Sequence, residues 1–269
     1  MPRRLTNSRS GFVSVPHACA HAHALVSAIS RLVPLPPTLQ AVANGLAPVD
    51  RCADHELLKT KVFGLEFSNP LGLAAGCDKQ AEAAKQFMAM GFGFVEVGSV
   101  TPLPQPGNEQ PRCFRLDEDQ GIINRYGFNS DGADAVLARL ETLRAEGELP
   151  GVLAVNLGKN KTADAVPDYV SGVKKFKDVA DLFVVNISSP NTPGLRALQG
   201  KRELTALMKA VVQVRGPSYG HGACVCVCAS VSTNSRSQTS KRQHHHYQHH
   251  ATWHAPRALR MRLAGPPTW

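Results

Sequence analysis

Four times between residues 62 and 216 a short apolar run gives way to a segment with helical spacing, and this alternation restricts the fold more than any other feature of the chain. The runs are "PLGLAAG" ending at Gly76, "FGFVEVGS" ending at Ser99, "GVLAVNLG" ending at Gly158 and "LFVVNI" ending at Ile187. A run like "LFVVNI" is β-branched and continuous rather than alternating, which suits a strand covered on both faces. After them come "KQAEAAKQFMAM", "SDGADAVLARLETLRAEG", "AVPDYVSGVKKFKDVA" and "ELTALMKAVVQV". Strand then helix, repeated, implies parallel strands joined by right-handed crossovers, in a doubly wound sheet or a (β/α)8 barrel. Every run ends in residues able to do chemistry, and in a barrel the C-terminal strand ends are where chemistry collects, so a ring is the better reading. No G-x-G-x-x-G follows the first strand and no G-x-x-x-x-G-K-[ST] occurs anywhere, and the glycines of "GFGFVEVG" lie within a strand instead of opening a helix.

Charge decides what kind of partner to expect. The net charge is +9, yet every Asp and Glu lies between Asp50 and Glu203, so the excess sits at the two ends. No aromatic residues interleave with a basic stripe in the middle, and no nucleic-acid partner is expected. The seven cysteines show no disulfide framework and no metal-ligand spacing: Cys19, Cys52, Cys77 and Cys113 are scattered, and three are packed into "CVCVC". Residues 1–20 carry Arg and Ser and no acid, which fits a mitochondrial or plastid transit segment. Residues 22–33, "AHALVSAISRLV", place one apolar face at helical spacing, and a Pro-rich linker follows to about residue 49. No run of about 18 apolar residues encodes a transmembrane helix.

The strand ends suggest a ligand class. Asn124, Asn156, Asn186 and Asn191 each carry donors and an acceptor on a rigid amide, which suits a planar heterocycle bearing C=O and N–H groups, and Lys79 adds a cation. Asn and Ser after strands are also ordinary turn residues. In "NRYGFNSDG" Asn129 or Ser130 could cap the next helix, or the segment could loop over a ligand. "SSPNTPGLRALQGK" is a long connection of the kind that forms lids.

Five motifs, "NPLGLAAGCDK", "MGFGFVEVGSVTPLPQPGNEQPRCFRL", "INRYGFNSDG", "VNLGKNKT" and "VVNISSPNTPGLRALQGK", resemble in order and spacing the signatures of the class 2, quinone-dependent dihydroorotate dehydrogenases. The resemblance implies a (β/α)8 barrel that binds FMN and oxidises dihydroorotate to orotate in de novo pyrimidine biosynthesis, passing electrons to a ubiquinone-type quinone. It further implies that Ala75, Gly76, Cys77, Asp78, Lys79, Ser99, Asn156 and Asn186 approach the flavin. Lys79 would also reach the substrate. Asn124, Arg125, Tyr126, Gly127 and Phe128 would line the orotate pocket, and Asn186, Ile187, Ser188, Pro190 and Asn191 would close around the ring. Ser189 matches the catalytic base, a place held by cysteine in related enzymes with other acceptors, and Arg115 matches an arginine near the quinone. Residues 22–33 resemble part of the family's membrane-docking helices, implying peripheral contact with the mitochondrial inner membrane.

The chain departs from that family in two places. Cys77 stands where a bulky apolar residue is usual. Beyond Gly216 the resemblance ends, and residues 217–269 contain no acid, seven His and the "CVCVC" tract. That tail is expected to lack a fixed fold, and its "HHHYQHH" run is not expected to be a metal site. The expected layout is a transit segment at 1–20, a helix and linker at 21–49, a partial barrel of about four βα units at 50–216 and a low-complexity tail at 217–269. A half barrel exposes two strand edges, so the chain is expected to be inactive alone; pairing of two half barrels, or a non-catalytic interaction role for the tail, are the alternatives.

Overall fold

The computed structural model describes residues 36–51, 53–116, 118–119, 121–192, 194–215 and 224–228. The transit segment, the apolar stripe at 22–33 and the His-rich run lie outside the described residues. Within the expected linker, α1 (Pro36–Ala41) runs on into a π turn at Val42–Leu46. A hairpin follows, β1 (Thr60–Val62) with β2 (Leu65–Phe67). Then come β3 (Gly72–Leu73), α2 (Ala84–Ala89), β4 (Phe94–Val100), a second hairpin of β5 (Cys113–Leu116) and β6 (Gly121–Asn124), and α3 (Ala133–Ala145). The chain continues through β7 (Val152–Leu157), α4 (Ala165–Phe176), β8 (Leu182–Asn186), α5 (Lys201–Arg215) and β9 (Cys224–Cys228).

All four expected strands are present and parallel, in the order β3-β4-β7-β8-β9. That order follows the chain without reversing. A doubly wound sheet reverses at a switch point, so the one-way order is the winding of a barrel wall. The fifth strand is the correction: "CVCVC", read as part of an unstructured tail, pairs in register with β8, Leu182 opposite Cys224 and Asn186 opposite Cys228. Alternation of Val along a strand serves a sheet edge well, and Val225 and Val227 pack on the main core. The first helical segment is shorter than its periodicity suggests, because residues 77–83 form bends around the Asp78 side chain before α2 begins.

The two faces of the sheet divide the work. Val95, Val97, Leu153, Val155, Phe183 and Val185 pack under the helices against residues such as Phe87, Leu140, Tyr169, Phe176 and Leu207. The alternate residues face the other way. There Val152, Ala154 and Leu182 pack with Leu65 of the first hairpin, and Phe67 meets Phe94 edge to face at 5.7 Å. Further along the same strands the residues on that face turn polar: Glu96, Asn156 and Asn186. The hairpin therefore seals one end of this face in apolar contact and leaves the C-terminal strand ends for polar groups.

Candidate active site

The first wall is built on backbone. Gly76 N–H donates to the Gly98 carbonyl at 2.9 Å, and Gly98 N–H donates to the Asp78 carbonyl at 3.0 Å, locking the β3 exit to β4. Gly98 has φ of 114°, and a Cβ there would lie 2.5 Å from the Asn156 carbonyl oxygen. Only glycine permits that approach. The Asp78 carboxylate is fully buried and accepts the backbone N–H groups of Glu82 (2.8 Å) and Ala83 (2.9 Å). Burial raises its pKa against the pull of those bonds.

Four side chains from three strands form one hydrogen-bonded chain. Asn186 Nδ2 donates to Ser99 Oγ at 3.0 Å, the Ser99 hydroxyl donates to Asn156 Oδ1, and Asn156 Nδ2 donates to Glu96 Oε1 at 2.6 Å. Asn156 and Glu96 are 2% and 5% exposed, and burial raises the Glu96 pKa. Asn186 is fixed from its far side as well, where its Oδ1 accepts Ser188 N–H (3.0 Å) and Oγ–H (2.8 Å). Its carbonyl accepts the Tyr169 hydroxyl of α4 at 2.6 Å. Sequence reading singled out three of these four residues and missed Glu96, since a single acid inside an apolar strand carries no local sign of its partners.

The second wall is the loop after β6. Lys79 Nζ lies 4.4 Å from the Tyr126 ring centroid and donates to the Gly76 carbonyl, while the Arg112 guanidinium lies 5.4 Å from the same ring. Burial lowers the Lys79 pKa, and the Cys77 and Cys113 thiols act the other way. The Tyr126 hydroxyl is pushed up to about 12, chiefly by burial and then by its hydrogen bond with Cys113. Asn108 braces the loop, donating from its backbone to the Tyr126 carbonyl and from Nδ2 to the Arg125 carbonyl, both at 2.9 Å. Phe128 takes φ of 55°, and Gln105 Nε2 donates to its carbonyl at 2.8 Å. Helix α3 begins at Gly132 without a side-chain cap; Ser130 Oγ instead accepts Gly132 N–H (3.1 Å) and Thr101 N–H (3.2 Å).

These walls and the loop after β8 enclose a cavity of about 600 Å³. Of the expected residues, Ala75, Gly76, Cys77, Lys79 and Ser99 line it, as do Asn124, Tyr126, Gly127, Phe128 and Asn186. Ser188, Ser189, Pro190 and Asn191 complete the loop side, with Ser189 Oγ accepting the Asn191 N–H at 3.3 Å. Five expected residues stand back from the wall. Asp78 is turned to the bends before α2, and Asn156 sits behind Ser99. Ile187 is in the core and Arg125 donates to the Pro111 carbonyl at 2.8 Å and 3.1 Å. Arg115 is exposed on β5 opposite Ile122. Leu73, Ala74, Cys113 and Ile122 line the cavity without having been singled out, and so do Gly98, read as a strand end, and Asn129, read as a possible helix cap. Asn129 Oδ1 is buried with no hydrogen-bond partner among the described residues. No cluster of His, Cys, Asp and Glu able to hold a metal, and no helix long and apolar enough to cross a membrane, occurs among the described residues.

Known proteins resemble the chain in sequence and shape. Residues 57–242 match the family model for dihydroorotate dehydrogenase, a stretch that runs past Gly216 and takes in β9. A dihydroorotate dehydrogenase (quinone) of Azorhizobium caulinodans is 52% identical over 182 residues, 67% of this chain and 51% of that one. The mitochondrial dihydroorotate dehydrogenase (quinone) of Mus musculus is 52% identical over 184 residues, 66% of this chain and 46% of that one. A crystal structure of DHODH from Eimeria tenella in complex with ferulenol aligns with a TM-score of 0.62 at 44% identity, covering 73% of this chain and 50% of that one. The chain thus spans about half the length of the curated relatives it matches. With the family model matched over well more than half of its residues and the family's motifs gathered around one cavity, the chain belongs to the dihydroorotate dehydrogenase family.

Proposed function

We propose that the cavity is the flavin and dihydroorotate site of a quinone-linked dihydroorotate dehydrogenase, the enzyme that oxidises dihydroorotate to orotate in de novo pyrimidine biosynthesis. The observation that carries this reading is the convergence of Lys79, Ser99, Asn124, Asn186 and Ser189, from four separate stretches of chain, on one cavity. FMN is the cofactor the family implies, and the residues present fit its ring system. Glycine backbone at Gly76 and Gly98 permits close approach, the amides match ring C=O and N–H groups, and the buried, unpartnered Asn129 Oδ1 awaits a donor. Lys79 is the one cationic side chain lining the cavity among the described residues, so an FMN phosphate needs groups supplied from elsewhere. When bound, FMN supplies the two-electron acceptor.

The chain's own groups would act as follows. Asn124, Asn186 and Asn191 orient the substrate ring by hydrogen bonds, and Lys79, held over Tyr126, offsets its carboxylate charge. Ser189 Oγ takes the C5 proton. A hydroxyl is a poor base at neutral pH and must hand the proton on as transfer proceeds. The Asn191 N–H donates to that oxygen at 3.3 Å, a loose contact that holds the hydroxyl at the cavity and leaves its second lone pair for the proton. Exposed Phe114, Leu116, Ile122 and Ile123 on the second hairpin, with Arg115 among them, support entry of an apolar quinone on that side. Peripheral contact with the mitochondrial inner membrane through residues 22–33 belongs to the same reading.

Among the described residues the sheet is one stretch of barrel wall, running from β3 to β9 with no further strand paired at either edge. As a monomer it is expected to be inactive, and those edges favour, as second reading, a site completed by another copy. Titrating the purified 269-residue chain with FMN and then assaying dihydroorotate:quinone turnover tests both. Weak flavin binding without turnover is expected; flavin binding that rises with protein concentration favours the paired form. Stoichiometric flavin with turnover in a dilute monomer overturns the inactive reading, and no flavin binding under any condition overturns the site.

A further inference from the structure

We propose that Glu96 is a positioning residue: its carboxylate fixes the Asn156 end of the Asn156–Ser99–Asn186 chain, as the Ser188 N–H fixes the Asn186 end, and so holds Ser99 as acceptor toward the Asn186 amide that a ligand meets. An ionised carboxylate can only accept. Asn156 must therefore give it the NH2 group, which leaves Asn156 Oδ1 for Ser99. The Ser99 hydroxyl then has to donate, and its lone pair receives Asn186 Nδ2. Asn186 Oδ1 accepts Ser188 N–H and Oγ–H, and one hydrogen of its amide is left for a ligand in the cavity that Asn186 lines. The Ser188 N–H can only donate and so fixes the Asn186 amide from the other end; the carboxylate fixes the Asn156 amide, and the two ends agree on one direction for Ser99 between them. The inference rests on reading the cavity as a ligand site for a planar carbonyl-bearing ring, and it assigns that ring an acceptor facing Asn186.

The surroundings of Glu96 leave it free to do this. It is 5% exposed, takes Asn156 Nδ2 at 2.6 Å and the Ala75 backbone N–H, and forms no ion pair among the described residues. The cations on the adjoining strand exits are engaged elsewhere: Lys79 with the Gly76 carbonyl and the Tyr126 ring, Lys159 with the carbonyls of Asn160, Lys161 and Ala163. Asp181, at the opposite end of β8, is paired with Arg144. Burial raises the pKa of Glu96 against the pull of its hydrogen bonds with Asn156 and Ala75, and a pH series through the acid range reads its titration.

The test follows side-chain amide resonances of the full chain by NMR across that pH series, with no flavin added. In the wild type both the Asn156 and the Asn186 NH2 signals are expected to move with one apparent pKa, that of Glu96. In Glu96→Gln neither moves, and in Ser99→Ala the Asn156 signal moves while that of Asn186 does not. An Asn186 signal that ignores pH in the wild type, or still follows it in Ser99→Ala, overturns the proposal. Should Glu96→Gln fail to fold, Ser99→Ala alone decides. Coupling intact in a chain that binds no FMN sinks the flavin reading and leaves the positioning role standing; FMN bound equally well by wild type and Glu96→Gln, within twofold, overturns the role assigned toward the ligand.

Discussion

The ammonium of Lys79 lies 4.4 Å above the centre of the Tyr126 ring, joining the loop after β3 to the loop after β6 across the cavity. A cation that is buried loses hydration, and an aromatic face restores part of that loss, by about 0.5–2 kcal/mol. Lys79→Met and Tyr126→Leu are expected to show a coupling of about 1 kcal/mol in a double-mutant cycle read by urea unfolding. Tyr126→Phe keeps the ring and loses the bond to Cys113, so it should retain most of that coupling. Additive single changes would show that the two loops are held apart from one another.

Gly98 is the tightest point of the wall, with φ of 114° and the Asn156 carbonyl 2.5 Å from where a Cβ would stand. The neighbouring atom is backbone of β7, which cannot yield without moving the strand. Gly98→Ala should therefore cost about 3 kcal/mol or more, combining strain in φ with the clash. Gly147→Ala is the control: its φ is also positive, at 122°, but nothing lies within 4 Å, so it carries the backbone strain alone. Equal losses of stability in the two variants would contradict the close approach.

Particular residues show how far sequence carried the reading. Leu153, Val155 and Phe183 lie in unbroken apolar runs, and continuous runs announce strands buried on both faces, so the sheet and its direction were legible. Lys79, Asn186 and Ser189 follow those runs directly, which put them on the right rim. Glu96 and Cys113 were not legible because their partners lie far along the chain: Asn156 in one case, and Tyr126 on the opposite hairpin strand's exit in the other. Asp78 and Asn156 carry motif positions yet point into structure, since a motif records what must be present and not which side of the wall it serves. The strand at Cys224–Cys228 was misread because a Cys-Val repeat in an acid-free tail was weighed by composition, when its alternation already matched an edge strand.

Cys77 offers a pH-dependent check on the cavity. Burial first, and Asp78 next, push its thiol up to about 11. A raised thiol pKa favours the folded state below the unfolded value and loses that advantage as pH rises towards the folded one. Stability should fall between roughly pH 9 and 11 by about 2–3 kcal/mol from this group, and Cys77→Ala should flatten that part of the curve. At pH 8.5, alkylation of Cys77 followed by peptide mass spectrometry should run about 100-fold slower than in the urea-unfolded chain. Equal rates would place the thiol in open water.

The last prediction concerns β9, where the sheet ends. Val227 pairs with Val185 along the ladder and packs on the main core, so it covers apolar surface of β8 that would otherwise meet water. Val227→Asp puts a charge against that core and should cost about 2–4 kcal/mol. Val212→Asp on α5, at a side chain 47% exposed, should cost under about 0.5 kcal/mol and serves as the control. Loss of β9 has a second consequence, because the unpaired N–H and C=O groups of β8 then become a template for another chain. Val227→Asp should scatter light at concentrations where wild type and Val212→Asp stay clear. If Val227→Asp neither destabilises nor self-associates, β9 does not close that side of the sheet, and β8 is itself the edge at which a second copy would have to dock.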